Sequence, residues 1–241
     1  MNTKNNPNEN IIIALDGMDR NDVFEILQKI PELIWVKVGL ELFVSEGPDI
    51  LSILKDRGKK TFLDLKFHDI PSTVAKACFA ASQTGTELIS LHTCAGIKAL
   101  KMARDASFEG ASKVNSMPPK LLGITVLTSW TQESFVSDLL IDQSIDYRVK
   151  HLAEIAYNSG LGGCVCSPRE VQSLREIYPT NFELITPGIR SIGSNNNDQS
   201  RVSDAFEAIK MGASKLVIGR AITQSNDPAY MFKSFCDSII I

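Results

Sequence analysis

The chain has little that would tie it to a membrane, a nucleic acid or a metal. Its 241 residues include only three histidines and five cysteines. The cysteines, at positions 78, 94, 164, 166 and 236, are odd in number and irregular in spacing, which does not suit a disulfide framework. Cys164-x-Cys166 is too tight for a zinc knuckle, and no second Cys or His pair lies nearby. Reduced thiols in a cytoplasmic protein are the expectation. His68, His92 and His151 are scattered, with no carboxylate pattern pairing them, which argues against a metal triad. Long apolar runs are also missing. The run at 11–15 is far too short to cross a bilayer. The Asn-rich segment before it lacks the apolar stretch and small-residue cleavage site of a secretory signal, so residues 1–10 read as a disordered polar tail. Neither sign of charge dominates. With 25 Lys and Arg against 28 Asp and Glu, the formal net charge of −3 gives no bulk attraction to nucleic acid or an anionic membrane. An anionic substrate would need a local cationic pocket. A Gly-rich dinucleotide fingerprint is absent too, since Asp16-Gly17-Met18-Asp19 is not G-x-G-x-x-G.

What is present is a rhythm. Short apolar, β-branched runs at 11–16, 34–38, 60–66, 87–92, 121–128, 162–166, 182–186 and 214–218 alternate with amphipathic stretches at 22–30, 48–57, 72–83, 97–106, 147–158, 168–177, 203–211 and 228–238. The runs are almost continuously apolar, as in a parallel sheet covered by helices. Pro48, Pro71, Pro168 and Pro228 stand where a helix can begin without losing a hydrogen bond, and Gly58, Gly85, Gly160 and Gly212 stand where one can stop. Eight strand–helix units without a linker, repeat or second domain predict a single-domain (β/α)₈ TIM barrel over residues 11–241. Rhythm alone leaves an open, doubly wound sheet as the alternative. One stretch breaks the pattern: the polar, Gly- and Asn-rich segment 190–199 after the seventh strand has the composition of a lid or of a plain solvated loop.

The charges concentrate at strand ends. Asp16 ends the first strand, Lys37 lies near the end of the second, Asp64 and Lys66 end the third, and Asp69 follows three residues later. In a barrel these ends form the active-site face. Residues i and i+2 of a strand point the same way, so Asp64 and Lys66 should project together toward the mouth, within reach of Lys37. A structural ion-pair network would use the same residues. Lys37, Asp64, Lys66 and Asp69 together on neighbouring strands favour a site, because burying four charges is costly unless function requires it. A second cluster, Pro187-Gly188-Ile189-Arg190 and Val217-Ile218-Gly219-Arg220, ends strands seven and eight, where these barrels recurrently bind phosphate. Gly219 would let the backbone approach a phosphate, and Arg220 would add a bidentate cation.

The segment Asp64-Leu65-Lys66-Phe67-His68-Asp69-Ile70-Pro71 resembles the D-x-K-x-x-D signature of the orotidine 5′-phosphate decarboxylase family in its bacterial form. Around it stand Ala14-Leu15-Asp16, Val36-Lys37-Val38-Gly39, Val126-Leu127-Thr128-Ser129, Thr186-Pro187-Gly188-Ile189-Arg190, Asp198-Gln199 and Ile218-Gly219-Arg220, so the resemblance spans nearly the whole chain. It implies a homodimeric enzyme acting on a small nucleotide without metal or organic cofactor, and not on nucleic acid or membrane. It implies that Asp16 and Lys37 hold ribose hydroxyls, that Asp64 lies against the substrate carboxylate, and that Lys66 protonates C6. Asp69 would enter the neighbouring subunit's site, with Ile70 and Thr73 lining that shared edge. Thr128 would meet the pyrimidine, Gln199 would bridge base and phosphate, and Pro187, Arg190, Gly219 and Arg220 would complete substrate binding. His68 is expected in a supporting hydrogen bond, His92 and His151 in structural roles, and Cys94 in packing. Sugar-phosphate decarboxylases of the same superfamily share D-x-K-x-x-D but use magnesium and carry an acidic residue where Lys37 stands. A non-catalytic nucleotide sensor would lack the need for an intact Asp64/Lys66 pair.

Overall fold

The computed structural model of the chain describes residues 6–189 and 205–240. Eight strands pair in sequence order: β1 (Ile11–Ala14), β2 (Trp35–Gly39), β3 (Lys60–Phe67), β4 (Leu88–His92), β5 (Lys120–Ile124), β6 (Gly163–Val165), β7 (Glu183–Pro187) and β8 (Lys215–Ile218). All are parallel, and β8 pairs with β1, so the sheet closes into a barrel and an open sheet is excluded. Each expected strand is present. The fifth is shorter than its apolar run, because residues 126–128 leave the ladder and line the barrel mouth.

The helices are α1 (Arg20–Lys29), α2 (Leu40–Glu46), α3 (Asp49–Asp56), α4 (Pro71–Ser82), α5 (Ile97–Lys113), α6 (Gln132–Leu139), α7 (Ile145–Asn158), α8 (Val171–Arg175), α9 (Ala205–Lys210), α10 (Arg220–Thr223) and α11 (Pro228–Ser238). Three of these, α2, α6 and α10, were not expected. In α2 the apolar Leu40 and Val44 face solvent, which hides the helical period. The helix expected from Pro168 begins instead at Val171. Pro168 lies in a turn, where the Ser167 N–H donates to Glu170 Oε2 at 2.6 Å. Gly58, Gly85, Gly160 and Gly212 do follow helices with positive φ, from 69° to 108°.

Two cores result from strand alternation. Outward residues such as Ile13, Val38, Leu63, Ile89 and Ile218 pack against the helices. Inward residues from every strand, among them Ile12, Trp35, Phe62, Leu88, Leu122, Val165, Ile185 and Val217, fill the barrel. Continuing the inward stripes of β1 to β4 and of β8 by two residues gives Ala14 and then Asp16, Lys37, Asp64, Ser90 and Gly219. The barrel interior thus changes from apolar to charged along the strand direction.

The opposite end is closed by residues expected to be a tail. Pro7–Glu9 forms a 3₁₀ turn, so the expected disorder does not extend over residues 6–10. Glu9 accepts hydrogen bonds from Trp35 Nε1 at 2.7 Å and Lys60 Nζ at 2.8 Å, and its carbonyl accepts from Lys215 Nζ at 2.6 Å. Both ammonium groups also lie over the Trp35 ring. Burial pushes the Glu9 carboxyl upward, but the bonds from Lys60 and Trp35 prevail and hold it below its ordinary range. We expect Glu9→Ala to destabilise the fold by about 1 kcal/mol, a modest loss because the group is partly solvated. A depressed carboxyl pKa stabilises the fold above the unfolded value, and this contribution fades as pH falls through the folded one. The difference between parent and variant in urea unfolding should therefore be full at pH 7 and shrink in acid; an unchanged midpoint at pH 7 would count against this plug.

Candidate active site

A cavity of about 740 Å³ opens at the carboxyl ends of the strands. Asp16, Lys37, Asp64, Lys66, Thr128, Pro187, Gly219 and Arg220 all line it, so one space gathers eight residues singled out in the sequence. The two clusters occupy different sectors of the wall. The carboxylates and lysines come from β1 to β3, and Gly219 and Arg220 from the junction of β8 and α10. Phe62, Ile124, Val126, Val165 and Val217 form apolar surface between them. Gly219 precedes the first turn of α10, whose leading N–H groups have no intrahelical acceptor.

The charged sector has a definite geometry. Register places Lys37 beside Ala14 on one side and Phe62 on the other, while Asp64 pairs with Gly39 one inward step higher. The long Lys37 side chain rises from that lower position. Its Nζ lies 2.7 Å from Asp16 Oδ2 and 3.5 Å from Asp64 Oδ2. Lys66 Nζ approaches the same Asp64 oxygen at 2.8 Å. The other oxygen, Oδ1, accepts the Ser90 hydroxyl at 2.8 Å. Lys37 and Asp64 are only 8% and 7% exposed, so this is a buried pair rather than a surface one. Burial alone would raise the Asp64 carboxyl. The two ammonium groups, with hydrogen bonds from Lys66 and Ser90, outweigh it and hold the group below its usual range.

The expected i, i+2 placement of Asp64 and Lys66 is realised by an irregular route. Lys66 has φ 50°, the left-handed region, and the β3–β4 register shifts between Leu63 and Phe67. A non-glycine residue there is strained by roughly 1–2 kcal/mol. Asn115 and Leu140, the other such residues described, lie just beyond α5 and α6.

A family model described as "Orotidine 5′-phosphate decarboxylase / HUMPS family" matches residues 9–235. The chain belongs to this family. It is 81% identical over 236 residues to the orotidine 5′-phosphate decarboxylase of Prochlorococcus marinus strain NATL1A, covering 98% of each chain. It is 80% identical to the protein of the same name from strain NATL2A, again over 98% of each. A crystal structure of orotidine 5′-phosphate decarboxylase from Lactobacillus acidophilus matches it with a TM-score of 0.86 at 33% identity, covering 97% of this chain and 100% of that one.

Not every residue assigned by the family resemblance meets at the cavity. Asp69, Ile70 and Thr73 are exposed and do not line it, so within one chain the array holds Lys37, Asp64 and Lys66 without Asp69. Asp69 instead accepts the Ile70 N–H at 2.6 Å. Arg190 and Gln199 lie outside the described residues. Ser129 is exposed and off the wall. The expectation that Cys94 is packed is corrected: it is exposed, with Sγ 3.9 Å from His68 Nε2. His68 also meets His92 in a tilted contact with ring centroids 5.2 Å apart, and His151 is exposed. Burial, helped by His68 and Lys66, depresses the His92 pKa. All five cysteines are free, with Cys164 and Cys166 buried in the outer core. Among the described residues no group of three or more His, Cys, Asp or Glu side chains is arranged to hold a metal ion. No described helix is long and apolar enough to cross a membrane.

In this orotidine 5′-phosphate decarboxylase-family barrel, two neighbours of the array were missed in the sequence. Ser90 is a polar residue set among Leu88, Ile89 and Leu91, a signal that was available. Gly39 was quoted within a motif but given no role. A Cβ at position 39 would overlap Asp16 Oδ1 and stand 2.8 Å from Lys37 Nζ. Glycine is what lets those two side chains meet. Gly39→Ala should open the 2.7 Å Asp16–Lys37 contact beyond hydrogen-bond distance and cost about 1–3 kcal/mol of folding stability. A crystal structure of the variant with the contact intact would reject this.

Proposed function

We propose that this chain decarboxylates orotidine 5′-phosphate to uridine 5′-phosphate, using Lys37, Asp64 and Lys66 from one subunit and Asp69 from a second copy. The observation that carries the reading is the placement of two ammonium groups on one oxygen of the buried Asp64 carboxylate, in the wall of a nucleotide-sized cavity. The opposite sector, with Gly219 and Arg220, suits a phosphate through backbone N–H groups and a guanidinium. Asp16 and Lys37 suit ribose hydroxyls, and Thr128 and Pro187 the base. Arg190 and Gln199 are assigned to phosphate and base by the resemblance.

The chemistry follows from charge. The bond between C6 and the carboxylate carbon breaks, carbon dioxide leaves, and the electron pair remains on C6. The pyrimidine ring delocalises that sp² pair poorly. The Lys66 ammonium, fixed beside C6, favours the developing negative charge without reorganising. It then gives its proton to C6, becomes a neutral amine, and regains a proton from solvent. Asp64, held against the substrate carboxylate, disfavours negative charge on that group and so favours its shift onto C6. Contacts to the distant phosphate supply binding energy that can be expressed in the chemical step. The reaction so written needs no metal or organic electron sink.

The exposure of Asp69, Ile70 and Thr73 just beyond β3 supports a shared site. A carboxylate on the rim, with a 65% exposed isoleucine next to it, is well placed to belong to the cavity of a homodimeric partner.

Two experiments test the reading. Lys66→Ala should bind uridine 5′-phosphate yet lose turnover by at least about 10⁴-fold, since both charge stabilisation and proton donation go. The loss of orotidylate absorbance measures this, run with and without a chelator. Near-parental rates in the variant would remove Lys66 from its role. Chelator-sensitive activity of the parent would point instead to the magnesium-dependent relatives. For Asp69, mixing inactive Lys66→Ala and Asp69→Ala proteins should restore up to about one quarter of parental activity, because half of a statistical mixture is heterodimer with one intact site of two. No recovery after subunit exchange has been demonstrated would defeat the shared site.

A further inference from the structure

Ser90 is fully buried on the inward stripe of β4, between Leu88 below it and the cavity above. Its hydroxyl stands between two groups of the charged sector. Oγ donates to Asp64 Oδ1 at 2.8 Å and accepts the backbone N–H of Lys66 at 2.9 Å. The direction of both bonds is fixed by inventory. A backbone N–H can only donate and an ionised carboxylate can only accept, so the single serine proton must point at Asp64. The result is a polarised relay from Lys66 N–H through the hydroxyl to the carboxylate, each bond strengthening the other.

The relay sits where β3 departs from regular structure. Lys66 adopts φ 50°, and the β3–β4 pairing slips between Leu63 and Phe67. In a regular ladder the Lys66 N–H would turn toward β2, as that of Lys60 does in bonding to the Ile34 carbonyl. Here it is taken by the side chain of Ser90, from the adjoining strand. Ser90 therefore grips both ends of the Asp64–Lys66 pair: the carboxylate of one and the strained backbone of the other. The 2.8 Å contact between Lys66 Nζ and Asp64 Oδ2 depends on both being held.

We infer that Ser90 is a positioning residue that fixes the left-handed backbone of Lys66 and the rotamer of Asp64, and thereby sets where the Lys66 ammonium points. The inference rests on the proposed role of Lys66 in proton donation. Ser90 is fully buried and does not line the cavity, so its removal should act on the chemical step and leave the phosphate and ribose contacts in place.

The test compares Ser90→Ala, Ser90→Cys and Ser90→Thr with the parent and with Lys66→Ala, by steady-state kinetics on orotidine 5′-phosphate. Thr keeps the hydroxyl, whereas Cys keeps the size but is a weak donor. Ser90→Ala and Ser90→Cys should lose kcat on the order of 100-fold, the scale of a small misplacement of a catalytic group. Their KM should stay within about threefold of the parent, because ground-state contacts persist. Ser90→Thr should keep kcat within about threefold of the parent. The inference is overturned if the Ala and Cys variants turn over like the parent, if the loss lies in KM alone, or if Cys and Thr are equally impaired. Should Ser90→Ala fail to fold, the Cys and Thr pair decides by the same criterion. An active Lys66→Ala would bring down the role of Lys66 and this inference together. An inactive Lys66→Ala beside a fully active Ser90→Ala would bring down only the latter.

Discussion

One carboxylate oxygen shared by two ammonium groups organises the upper half of this barrel. Asp64 Oδ2 lies 2.8 Å from Lys66 Nζ and 3.5 Å from Lys37 Nζ, and Lys37 in turn holds Asp16. Formally the four charges cancel. Neutrality is what makes burial tolerable, because a lone ion in a low-dielectric interior would incur several kcal/mol that nothing repays. It also makes the cluster intolerant of partial loss, since deleting any one member leaves its neighbour's charge uncompensated. A substrate that brings its own carboxylate to such a cluster tips the balance against itself. On the proposed reading, that imbalance is relieved when carbon dioxide departs and the remaining charge sits beside Lys66.

The barrel supplies the rigidity that this requires. The polar side chains continue inward stripes whose lower members are packed apolar residues: Lys37 stands above Trp35, Asp64 above Phe62, Ser90 above Leu88. The stagger between neighbouring strands then sets heights, with Asp64 paired to Gly39 and Lys37 to Phe62, so a long lysine can reach a short aspartate from below. Loops alone could not hold ions at these separations. A closed sheet can, because every strand is fixed on both sides.

Much of this was legible in the sequence, and the part that was not has a common cause. Apolar runs and helix punctuation gave the eight strands and their order, since both are local signals. The charges at strand ends gave Asp16, Lys37, Asp64 and Lys66, because barrel topology converts a strand end into a position. Long-range contacts were invisible. Nothing near Gly39 announces that its missing Cβ makes room for Asp16, and nothing near Glu9 announces Trp35 and Lys60. Alternation correctly put Asp64 and Lys66 together, yet it could not foresee the left-handed backbone at Lys66, whose N–H is bonded by a serine 24 residues away. Ile70 and Thr73 read as site residues only through resemblance, Asp69 also through its place after the third strand, and in a single chain all three remain outside the cavity.

The same strands carry stability at one end and departures from the rules of stability at the other. Lys60 opens β3 at the Glu9–Trp35 plug, and Asp64 and Lys66 close it in the cavity; Lys215 and Gly219 divide β8 and its end in the same way. At the plug, polar groups are paired, partly solvated and unstrained. At the cavity there are a buried lysine, a buried aspartate and a left-handed lysine in a slipped register. Each of these is unfavourable on its own, and natural sequences confine such violations to places where function demands them. Their concentration within two inward layers of one cavity is therefore an argument for chemistry there that does not depend on any relative.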